Sequence, residues 1–390
     1  MEARDTVFGR RRLKVEMVLP ELQVGGMEVM AARLTRSLSR RGHEVGVTCI
    51  VEGGPLADQL RGDGYRVTVV RAQGLLTNIR APSLERWLRD VEPDIVHTHS
   101  GAWLKAVRAA RRGAVPWVIH TEHGLFDPEP WYARALRRRA ARHTDCVVAV
   151  SNQLRAMLTG RDGLEPKQVR VVPNGVDINR FAPAARTGDL HRRLGIDDSR
   201  ILIAAVGRLA PVKNHAMLLH AFALLRTRHA NAALVIIGEG TCRAALQERI
   251  SSLGLSGHAF LFGEAPDVAK LYRDMDLFVL SSKHEGMPMS VLEAMASGVP
   301  VVSTSVGGIP DLLAHGRLGW LAPSGDAVAL GEAMHAAIED VDRRRTVTLD
   351  ARSEIVERYS EDTMLEAYER LYYLRSAAEP ALRGSKTLTI

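Results

Sequence analysis

The sequence contains few cysteines, few aromatic residues and no long hydrophobic run. Three cysteines, Cys49, Cys146 and Cys242, are scattered over 390 residues. This distribution offers no disulfide framework and no metal-ligand spacing, and it suits a reduced compartment. No apolar run approaches the ~20 residues of a membrane span, and the N-terminal stretch lacks the apolar region of a signal peptide. We therefore expect a cytoplasmic protein.

Positive charge is plentiful but unevenly distributed. Residues 1–180 contain 29 Lys and Arg against 20 Asp and Glu, whereas residues 181–390 contain 23 against 25. This asymmetry indicates that the first half meets an anionic partner, although a solvated Arg-rich surface is an equally strong alternative. Nucleic acid is disfavoured as that partner, because aromatic residues make up 5% of the chain and no stretch resembles a recognised binding module.

Short apolar runs alternate with amphipathic stretches through most of the chain. We predict seven strands in the first half, at LKVEMVL, EVGVTCI, YRVTVV, DIVHTH, PWVIHT, DCVVAV and QVRVVPN, and six in the second, at ILIAAVG, AALVIIGEG, AFLFG, DLFVLSS, PVVST and GWLA. This alternation is typical of α/β proteins whose parallel sheets carry helices on both faces. We predict two doubly wound, Rossmann-like domains, residues 1–180 and 181–352, with a polar, strand-free connection near residues 180–199. A C-terminal helix is predicted over residues 353–375, followed by a flexible tail over residues 376–390.

Two turns of the second predicted domain contain candidate binding residues. If its strands have the order 3-2-1-4-5-6, the turns after the first and fourth strands face each other where ligands bind. The first turn places Arg208 and Lys213 beside a helix that Asn214 is expected to cap. A helix N-terminus disfavours cations unless an anion is present, and no Asp or Glu occurs from Gly207 to Ile237. This pattern fits a bound diphosphate, with distant pairing or plain exposure as the alternative.

The opposite turn places Glu285 in a loop and Glu293 in the first turn of the next helix. Glu293 has a structural alternative, because Ser290 and Glu293 match a capping box. Glu285 could equally be a solvated loop carboxylate. Carboxylates that can bind vicinal hydroxyls beside a diphosphate-binding turn describe a nucleotide-sugar site, so we favour that interpretation.

Four motifs, taken together, closely resemble one enzyme family. They are PNGVD (173–177), VGRLAPVKN (206–214), EGMPMSVLE (285–293, with the E-x7-E pattern) and VSTSVGGIPDLL (302–313). The family is the retaining glycosyltransferases of family 4, and the resemblance spans roughly Leu13 to Arg375. It implies the GT-B fold, in which two doubly wound Rossmann-like domains face a cleft and the C-terminal helix crosses back to the N-terminal domain.

The resemblance assigns roles on the donor side. Arg208 and Lys213 would contact the donor pyrophosphate, Glu285 would hold the donor sugar, and Glu293 would hold the ribose hydroxyls. Arg208, Lys213 and Glu285 are therefore candidate catalytic residues. The other predicted donor-binding positions are Gly25, Gly26, Gly207, Gly263, Glu264, Gly286, Met287, Pro288, Met289 and Ser290. From the residues alone, a plain tight turn explains Gly25 and Gly26 equally well.

The first domain is expected to supply the acceptor side. His123 lies just past a predicted strand and matches the family's active-site histidine, so we take it as a catalytic candidate. His120 is close in sequence and is an alternative for that position. His99 and Asn174 are further acceptor-side candidates. Without the family, a lone loop histidine is more often structural.

Two spacings could suggest a bound metal. His97 and His99 are two residues apart, but we expect their imidazoles to point to opposite faces of the strand and therefore not to share an ion. Asp274 and Asp276 mimic a D-x-D metal motif, but their position before a buried strand indicates a helix-to-strand turn. The resemblance implies that the enzyme requires no metal and no cofactor, and that a UDP- or GDP-linked sugar is its co-substrate.

A basic stretch in the first domain, residues 131–145, is predicted to be helical. Its Arg134, Arg137, Arg138 and Arg142 recur at three- and four-residue spacings. A basic helix beside a tryptophan can lie on an anionic bilayer, here the inner face of the cytoplasmic membrane. A solvated outer surface is the alternative.

The favoured function is transfer of a hexosyl group from a nucleoside diphosphate sugar to a saccharide or lipid-linked acceptor, with retention of configuration. By analogy, the pathway would be the synthesis of surface polysaccharide, lipopolysaccharide or glycolipid. One alternative is a nucleotide-sugar epimerase of the same architecture. Another is a non-catalytic nucleotide-sugar-binding partner protein.

Overall fold

The chain forms two compact units, one of residues 1–173 with 364–390 and one of residues 174–363. A computed structural model describes residues 6–7, 10–23, 25–124 and 129–382. The chain enters the second unit at Asn174, seven residues before the predicted start of the second domain at residue 181. The reason is local bonding: the Asn174 side chain donates to the carbonyl of Met287, and the N–H of Val176 donates to the carbonyl of Tyr359.

Seven parallel strands form the main sheet of the first unit. They are β3 (Lys14–Leu19), β4 (Glu44–Cys49), β5 (Arg66–Val69), β6 (Ile95–His99), β7 (Trp117–Glu122), β8 (Cys146–Ala149) and β9 (Val169–Val171), and a two-residue antiparallel pair, β1 (Thr6–Val7) and β2 (Arg10–Arg11), precedes them. Their spatial order is β5-β4-β3-β6-β7-β8-β9. Every strand predicted in this half is confirmed, and most are buried along their length, as expected for a sheet covered on both faces.

Helices connect these strands. They are α1 (Gly26–Arg40), α2 (Pro55–Gly62), α3 (Pro82–Val91), α4 (Trp103–Arg112), α5 (Ala133–Ala141) and α6 (Asn152–Ala156), with a 3-10 turn at Leu75–Asn78 and a π turn at Met157–Arg161. The core of this unit also includes residues from near the C-terminus, among them Leu365, Tyr368 and Tyr372. The predicted return of the C-terminal helix to the first domain is therefore confirmed.

The second unit contains six parallel strands and eight helices within its described residues. The strands are β10 (Ile201–Val206), β11 (Ala232–Ile237), β12 (Ala259–Gly263), β13 (Leu277–Leu280), β14 (Val301–Thr304) and β15 (Trp320–Ala322). The helices are α7 (Asp189–Leu194), α8 (His215–Arg226), α9 (Arg243–Ser252), α10 (Ala269–Tyr272), α11 (Met289–Ala296), α12 (Ile309–Leu312), α13 (Ala327–Glu339) and α14 (Val341–Arg358), with 3-10 turns at Pro211–Lys213 and Ala314–Gly316. The order β12-β11-β10-β13-β14-β15 is the predicted 3-2-1-4-5-6 arrangement, with its switch point between β10 and β13.

The C-terminal region contains a break where one helix was predicted over residues 353–375. Helix α14 ends at Arg358, and a second helix, α15 (Glu361–Leu382), follows it. Tyr359 leaves the helical conformation, with φ −124° and ψ 19°. Ser360 then starts the new helix, because its Oγ accepts from the N–H of Thr363 at 3.2 Å. Helix α15 includes the first residues of the predicted tail, and residues 383–390 lie outside the described residues.

Candidate active site

The two turns that were predicted to face each other meet at the switch point of the second sheet. The Nζ of Lys213 donates to Oε1 of Glu285 at 2.5 Å. A backbone hydrogen bond also joins the two turns, because the N–H of Lys283 donates to the carbonyl of Val212 at 2.8 Å. In addition, Oγ of Ser281 donates to the carbonyl of Lys213 at 2.8 Å. The turns after β10 and β13 therefore form one continuous surface.

Glu285 is held by its neighbours rather than solvated. Its side chain is 11% exposed, and Oε1 also accepts from Oγ of Ser282 at 2.6 Å. Its backbone carbonyl lies against Gly307, which has φ +58° and where a Cβ would collide with that carbonyl. The N–H of Gly308 donates to the carbonyl of Gly286 at 2.9 Å. The alternative of a solvated loop carboxylate was wrong.

The two cations of the first turn differ in their environment. Lys213 is 18% exposed and paired with Glu285, which is the distant pairing that the sequence left open. Arg208 is exposed, and within the part of the chain that the structure describes, its side chain has no hydrogen bond or ion pair. An exposed guanidinium beside this turn is available to an anionic ligand.

Glu293 does not belong to a capping box. Helix α11 begins at Met289 with Pro288 as its N-cap and no side-chain cap, so Ser290 is the second helical residue and that alternative was wrong. Glu293 is the fifth helical residue, just past the first turn. It is 6% exposed, and its Oε2 accepts from the hydroxyl of Tyr272 at 3.2 Å. The helix therefore presents a buried carboxylate close to its N-terminus.

The remaining residues of the second unit that were predicted to bind the donor lie at strand ends and in the loop before α11. Asn214 stands at the N-cap position of α8 as predicted, but its backbone is left-handed at φ 49° and its side chain makes no capping bond. Gly207 follows β10, and Gly263 ends β12, where its carbonyl accepts from the N–H of Gly238 at 2.8 Å. Glu264 is exposed. These positions surround the same carboxyl edge of the sheet.

Asn174 contacts the loop between Glu285 and α11, and its predicted acceptor-side role stays a prediction. Its Nδ2 donates to the carbonyl of Met287 at 2.9 Å. Met287 and Met289 are 7% and 8% exposed, and Pro288 between them is buried. The loop between Glu285 and α11 is therefore anchored by its backbone to the strand-free segment that opens the second unit.

The glycine pair of the first unit lies between a strand and a helix, as predicted. Gly25 is the N-cap of α1, with φ −153° and ψ 164°, and Gly26 is the first helical residue. A Cβ on Gly26 would meet nothing within 4 Å. The space around Gly26 therefore does not require glycine, and a role for this pair stays a prediction.

A stack of three histidines lies at the carboxyl ends of β6 and β7. The ring centroids of His97 and His99 are 4.4 Å apart with an angle of 29° between the ring planes, and those of His99 and His123 are 5.3 Å apart with an angle of 25°. The expectation of opposite faces was wrong, because residues two apart on a strand share a face. Nδ1 of His99 and Nε2 of His123 are 3.0 Å apart, so one ring donates a hydrogen bond to the other.

The C-terminal helix α15 fixes the His97 ring of this stack by a hydrogen bond with Tyr372. Nδ1 of His97 is 2.8 Å from the hydroxyl of Tyr372, and its Nε2 is 2.8 Å from Oγ1 of Thr121. The same Thr121 oxygen is 3.0 Å from the hydroxyl of Tyr368. Both nitrogens of His97 are thus satisfied, and this ring serves as a fixed platform for His99.

Burial keeps these imidazoles neutral. It is the main reason that the pKa of His123 is lowered to about 4, with further lowering by His120 and partial compensation by Glu122. Burial also lowers the pKa values of His97 and His99 well below the usual value. A neutral imidazole has one donor and one acceptor nitrogen, so His123 can donate one hydrogen bond and accept another near neutral pH.

His120 lies in the core rather than at the surface. It is fully buried, its ring stacks on Trp103 at 3.8 Å, and its Nδ1 is 2.7 Å from Oγ1 of Thr98. His123 is only partly buried and follows the last residue of β7, Glu122. Of the two histidines, His123 is the one that a ligand can reach, which supports its assignment to the active-site position.

The D-x-D resemblance has a structural explanation, as expected. Asp274 accepts hydrogen bonds from the N–H groups of Thr187, Gly188 and Leu190, at 2.7 to 3.0 Å. Asp276 pairs with Arg186 at 2.8 Å. Both carboxylates are occupied in fixing the chain around α7, which is the helix-to-strand arrangement predicted for this stretch.

The basic helix of the first unit presents only part of its charge to solvent. Arg137 pairs with Glu129 at 2.7 Å and with Asp162 at 2.6 Å, so it faces inward. Trp131 is 91% exposed and Tyr132 48% exposed at the start of α5. Within the described residues, no helix is both long and apolar enough to cross a bilayer.

Comparison with known proteins identifies the family. Residues 24–180 match the family model described as Glycosyltransferase Family 4, and residues 187–354 match the model described as Glycosyl transferases group 1. A GDP-mannose-dependent alpha-mannosyltransferase from Mycobacterium tuberculosis is 33% identical over 335 residues, which cover 81% of this chain and 84% of that protein. The chain belongs to glycosyltransferase family 4.

Other relatives agree with this assignment. A UDP-Gal:alpha-D-GlcNAc-diphosphoundecaprenol alpha-1,3-galactosyltransferase from Escherichia coli is 28% identical over 345 residues, 84% of this chain and 89% of that protein. The crystal structure of Anabaena HepE in complex with UDP matches with a TM-score of 0.81 at 21% identity, covering 92% of this chain and 99% of that one. This likeness shows the GT-B fold. The chain is a glycosyltransferase, and the epimerase alternative has no support.

Three residues at these sites were not found from the sequence. Tyr272 holds the Glu293 carboxylate, Ser282 holds the Glu285 carboxylate, and Tyr372 holds the His97 ring. Ser282 lies three residues before Glu285, a spacing that could have suggested a local contact. The two tyrosines are distant in sequence from their partners, and their contacts depend on packing that the sequence does not display.

Proposed function

We propose that the chain is a retaining glycosyltransferase that transfers a hexosyl group from a nucleoside diphosphate sugar to a saccharide or lipid-linked acceptor. The main support for a donor site here is the 2.5 Å contact between Lys213 and Glu285. This contact joins the turns after β10 and β13 at the switch point of the sheet. The names of the relatives support a nucleotide-sugar donor, since one is named for UDP-Gal and another for GDP-mannose.

The proposed role of the basic turn is to stabilise the leaving group. Departure of a nucleoside diphosphate places negative charge on its phosphates, and preorganised positive groups are usually the largest catalytic contribution in such a step. Arg208 is exposed in the same turn as Lys213, and the N-terminus of α11 adds partial positive charge on the opposite turn. In this proposal the phosphates form an ion pair with Arg208. Lys213 contacts the phosphates while it stays paired with Glu285.

Glu285 is proposed to bind sugar hydroxyls rather than to attack the sugar. Its Oε1 is engaged by Lys213 and Ser282, which lowers its nucleophilicity. We propose that the acceptor oxygen attacks on the face from which the phosphate leaves. A carbon–oxygen bond forms to the acceptor, the bond to the phosphate breaks, and the acceptor proton passes to the departing phosphate. A trapped glycosyl-enzyme adduct would contradict this mechanism.

The test is a transfer assay with UDP- and GDP-linked hexoses, saccharide and lipid-linked acceptors, and EDTA present throughout. We expect one donor to be used, with retained anomeric configuration in the product by NMR. Lys213→Ala should lower kcat by about a hundredfold or more, as loss of one charge-stabilising donor typically does. Lys270→Ala, which removes an exposed lysine elsewhere on the second unit, is the matched control.

Three outcomes would contradict separate parts of this proposal. A product with inverted anomeric configuration would show that the enzyme is not a retaining glycosyltransferase. Activity that appears only when a divalent cation replaces EDTA would remove metal independence. Full activity in Lys213→Ala would remove the lysine from the phosphate role.

We also propose that the surface around Trp131 and α5 contacts anionic membrane, where a lipid-linked acceptor would lie. Exposed aromatic rings beside arginines are typical of interfacial binding. Co-sedimentation with phosphatidylglycerol vesicles should exceed that with phosphatidylcholine vesicles and should fall at high salt. Trp131→Ala should weaken binding, whereas Leu349→Ala, at a 64% exposed apolar residue of the second unit, should not. Equal binding by both variants would contradict the proposed surface.

A further inference from the structure

We propose that His229, His335 and Glu339 form a binding site for a divalent transition metal of the Zn²⁺ class. Nε2 of His229 and Nδ1 of His335 are 2.8 Å apart, and Oε1 of Glu339 is 3.7 Å from that Nε2. One ligand atom from each residue lies within 4.8 Å of the others. Two imidazole nitrogens and a carboxylate oxygen, completed by a water, make a tetrahedral set that Zn²⁺ accepts. No other such group of three occurs in the described part of the chain.

Secondary structure fixes where these three side chains lie. His335 and Glu339 are four residues apart on α13, so they lie on the same face, one turn apart. His229 follows the end of α8, where its N–H donates to the carbonyl of Leu225 at 3.0 Å. Helices α8 and α13 pack against each other, and Leu225 and Met334 belong to the same hydrophobic core. Two ligands thus come from one helix and the third from the end of its neighbour.

Only a small movement separates the observed geometry from a metal complex. Metal–nitrogen bonds of about 2.05 Å at the tetrahedral angle place two nitrogens about 3.3 Å apart. The observed 2.8 Å is a hydrogen bond between the rings, which needs one ring to donate. On metal binding, the proton of that ring moves to its other nitrogen, and both rings offer a lone pair. The required opening of about half an ångström lies within reach of side-chain rotation.

The local electrostatics favour a cation at this place. The C-terminal ends of α8 and α13 lie here, and the C-terminus of a helix carries partial negative charge. His229 is 8% exposed, and the carboxylate of Glu339 lies beside its ring. The charge of Arg228 is itself paired with Glu332 at 2.9 Å.

The site lies at the far end of α8 from the donor turn. Helix α8 begins at His215, two residues after Lys213, and ends at Arg226, so the metal would lie on the order of 17 Å along the helix axis from the proposed phosphate site. At that distance the ion can link α8 to α13 but cannot touch a bound nucleotide sugar. The role that follows is a structural link within the second unit, independent of the proposed transfer reaction.

The test is a calorimetric titration of Zn²⁺ into chelator-treated protein without a polyhistidine tag, for the wild type and three variants. We expect one equivalent of Zn²⁺ in the wild type that is lost in His335→Ala. Glu339→Gln should weaken the same event by at least about tenfold, since even the loss of a second-shell partner costs ten- to a hundredfold. His315→Ala removes an exposed histidine four residues from Asp311 but without a second imidazole, and it should retain the wild-type titration.

Thermal unfolding provides the second readout. Zn²⁺ should raise the Tm of the wild type and of His315→Ala but not that of His335→Ala. If all four proteins bind Zn²⁺ alike, or none binds it, the three residues form only a hydrogen-bonded cluster and the proposal is wrong. Nucleotide binding is expected to be the same with and without Zn²⁺, so failure of this site and failure of the donor site give different results.

Discussion

At the residue scale, the two halves of the chain use charge in opposite ways. The second unit places Lys213, Glu285 and exposed Arg208 in one surface, where an anionic ligand can reorganise the pairing. The first unit instead stacks two buried imidazoles and one partly buried imidazole, and desolvation lowers the pKa values of all three. The first arrangement suits binding of a charged group, and the second suits hydrogen bonding to neutral hydroxyls.

The buried histidines predict acid sensitivity of the folded state. Unfolded histidine titrates near 6.5, while the folded pKa of His123 is about 4 and those of His97 and His99 are also lowered. Between these values the unfolded chain binds more protons, so the free energy of unfolding is fully present above about pH 6.5 and decreases as the pH falls toward 4. Urea denaturation near pH 7.5 and pH 5 measures this loss.

A variant separates this contribution from general acid effects. His99→Asn removes one buried imidazole and should make the dependence of the unfolding free energy on pH shallower. His315→Asn, at an exposed side chain outside the stack, should not change it. Wild-type stability that is equal or higher near pH 5 would show that the stack does not control the acid response.

At the element scale, the loop between Glu285 and α11 depends on the glycine turn that supports it. A Cβ on Gly307 would collide with the Glu285 carbonyl, so Gly307→Ala must displace the loop that carries the proposed sugar ligand. We expect donor KM to rise or kcat to fall by at least about tenfold, because small misplacements of positioning groups are costly. Gly316→Ala is the matched control, since Gly316 has φ +97° but open space around it. Equal activity of the two variants would contradict this role of Gly307.

The sequence predicted elements better than it predicted their junctions. All thirteen strands of the two main sheets were expected, because runs such as ILIAAV and AALVII are apolar and bounded by turn residues. The break at Tyr359 and Ser360 was missed, because the flanking residues form helix readily and the cause is a tertiary contact. That contact is the pairing of this junction with Val176, which lies far away in sequence.

At the scale of the whole molecule, the motifs and their order predicted the enzyme family, which composition alone did not. The E-x7-E segment, the basic turn and the accompanying glycines pointed to family 4 before any contact was known, and the family match confirms it. The wrong predictions concern partners rather than motifs. Ser290 does not cap α11, and the His97 and His99 rings share a face. Helix α11 starts two residues earlier than a cap at Ser290 requires, whereas the two-residue spacing of His97 and His99 itself places them on one face of the strand.

The central claim, a nucleoside diphosphate site at the Arg208–Lys213 turn, is tested most directly by thermal unfolding with UDP, GDP and ADP in EDTA. A ligand at about 100 times its Kd adds about 2.7 kcal/mol to the free energy of unfolding, which gives a clear rise in Tm. We predict a rise with UDP or GDP in the wild type and in Arg193→Ala, which removes an exposed arginine of α7, but not in Arg208→Ala. No rise with any nucleotide in folded protein, or an equal rise in both variants, would contradict the claim.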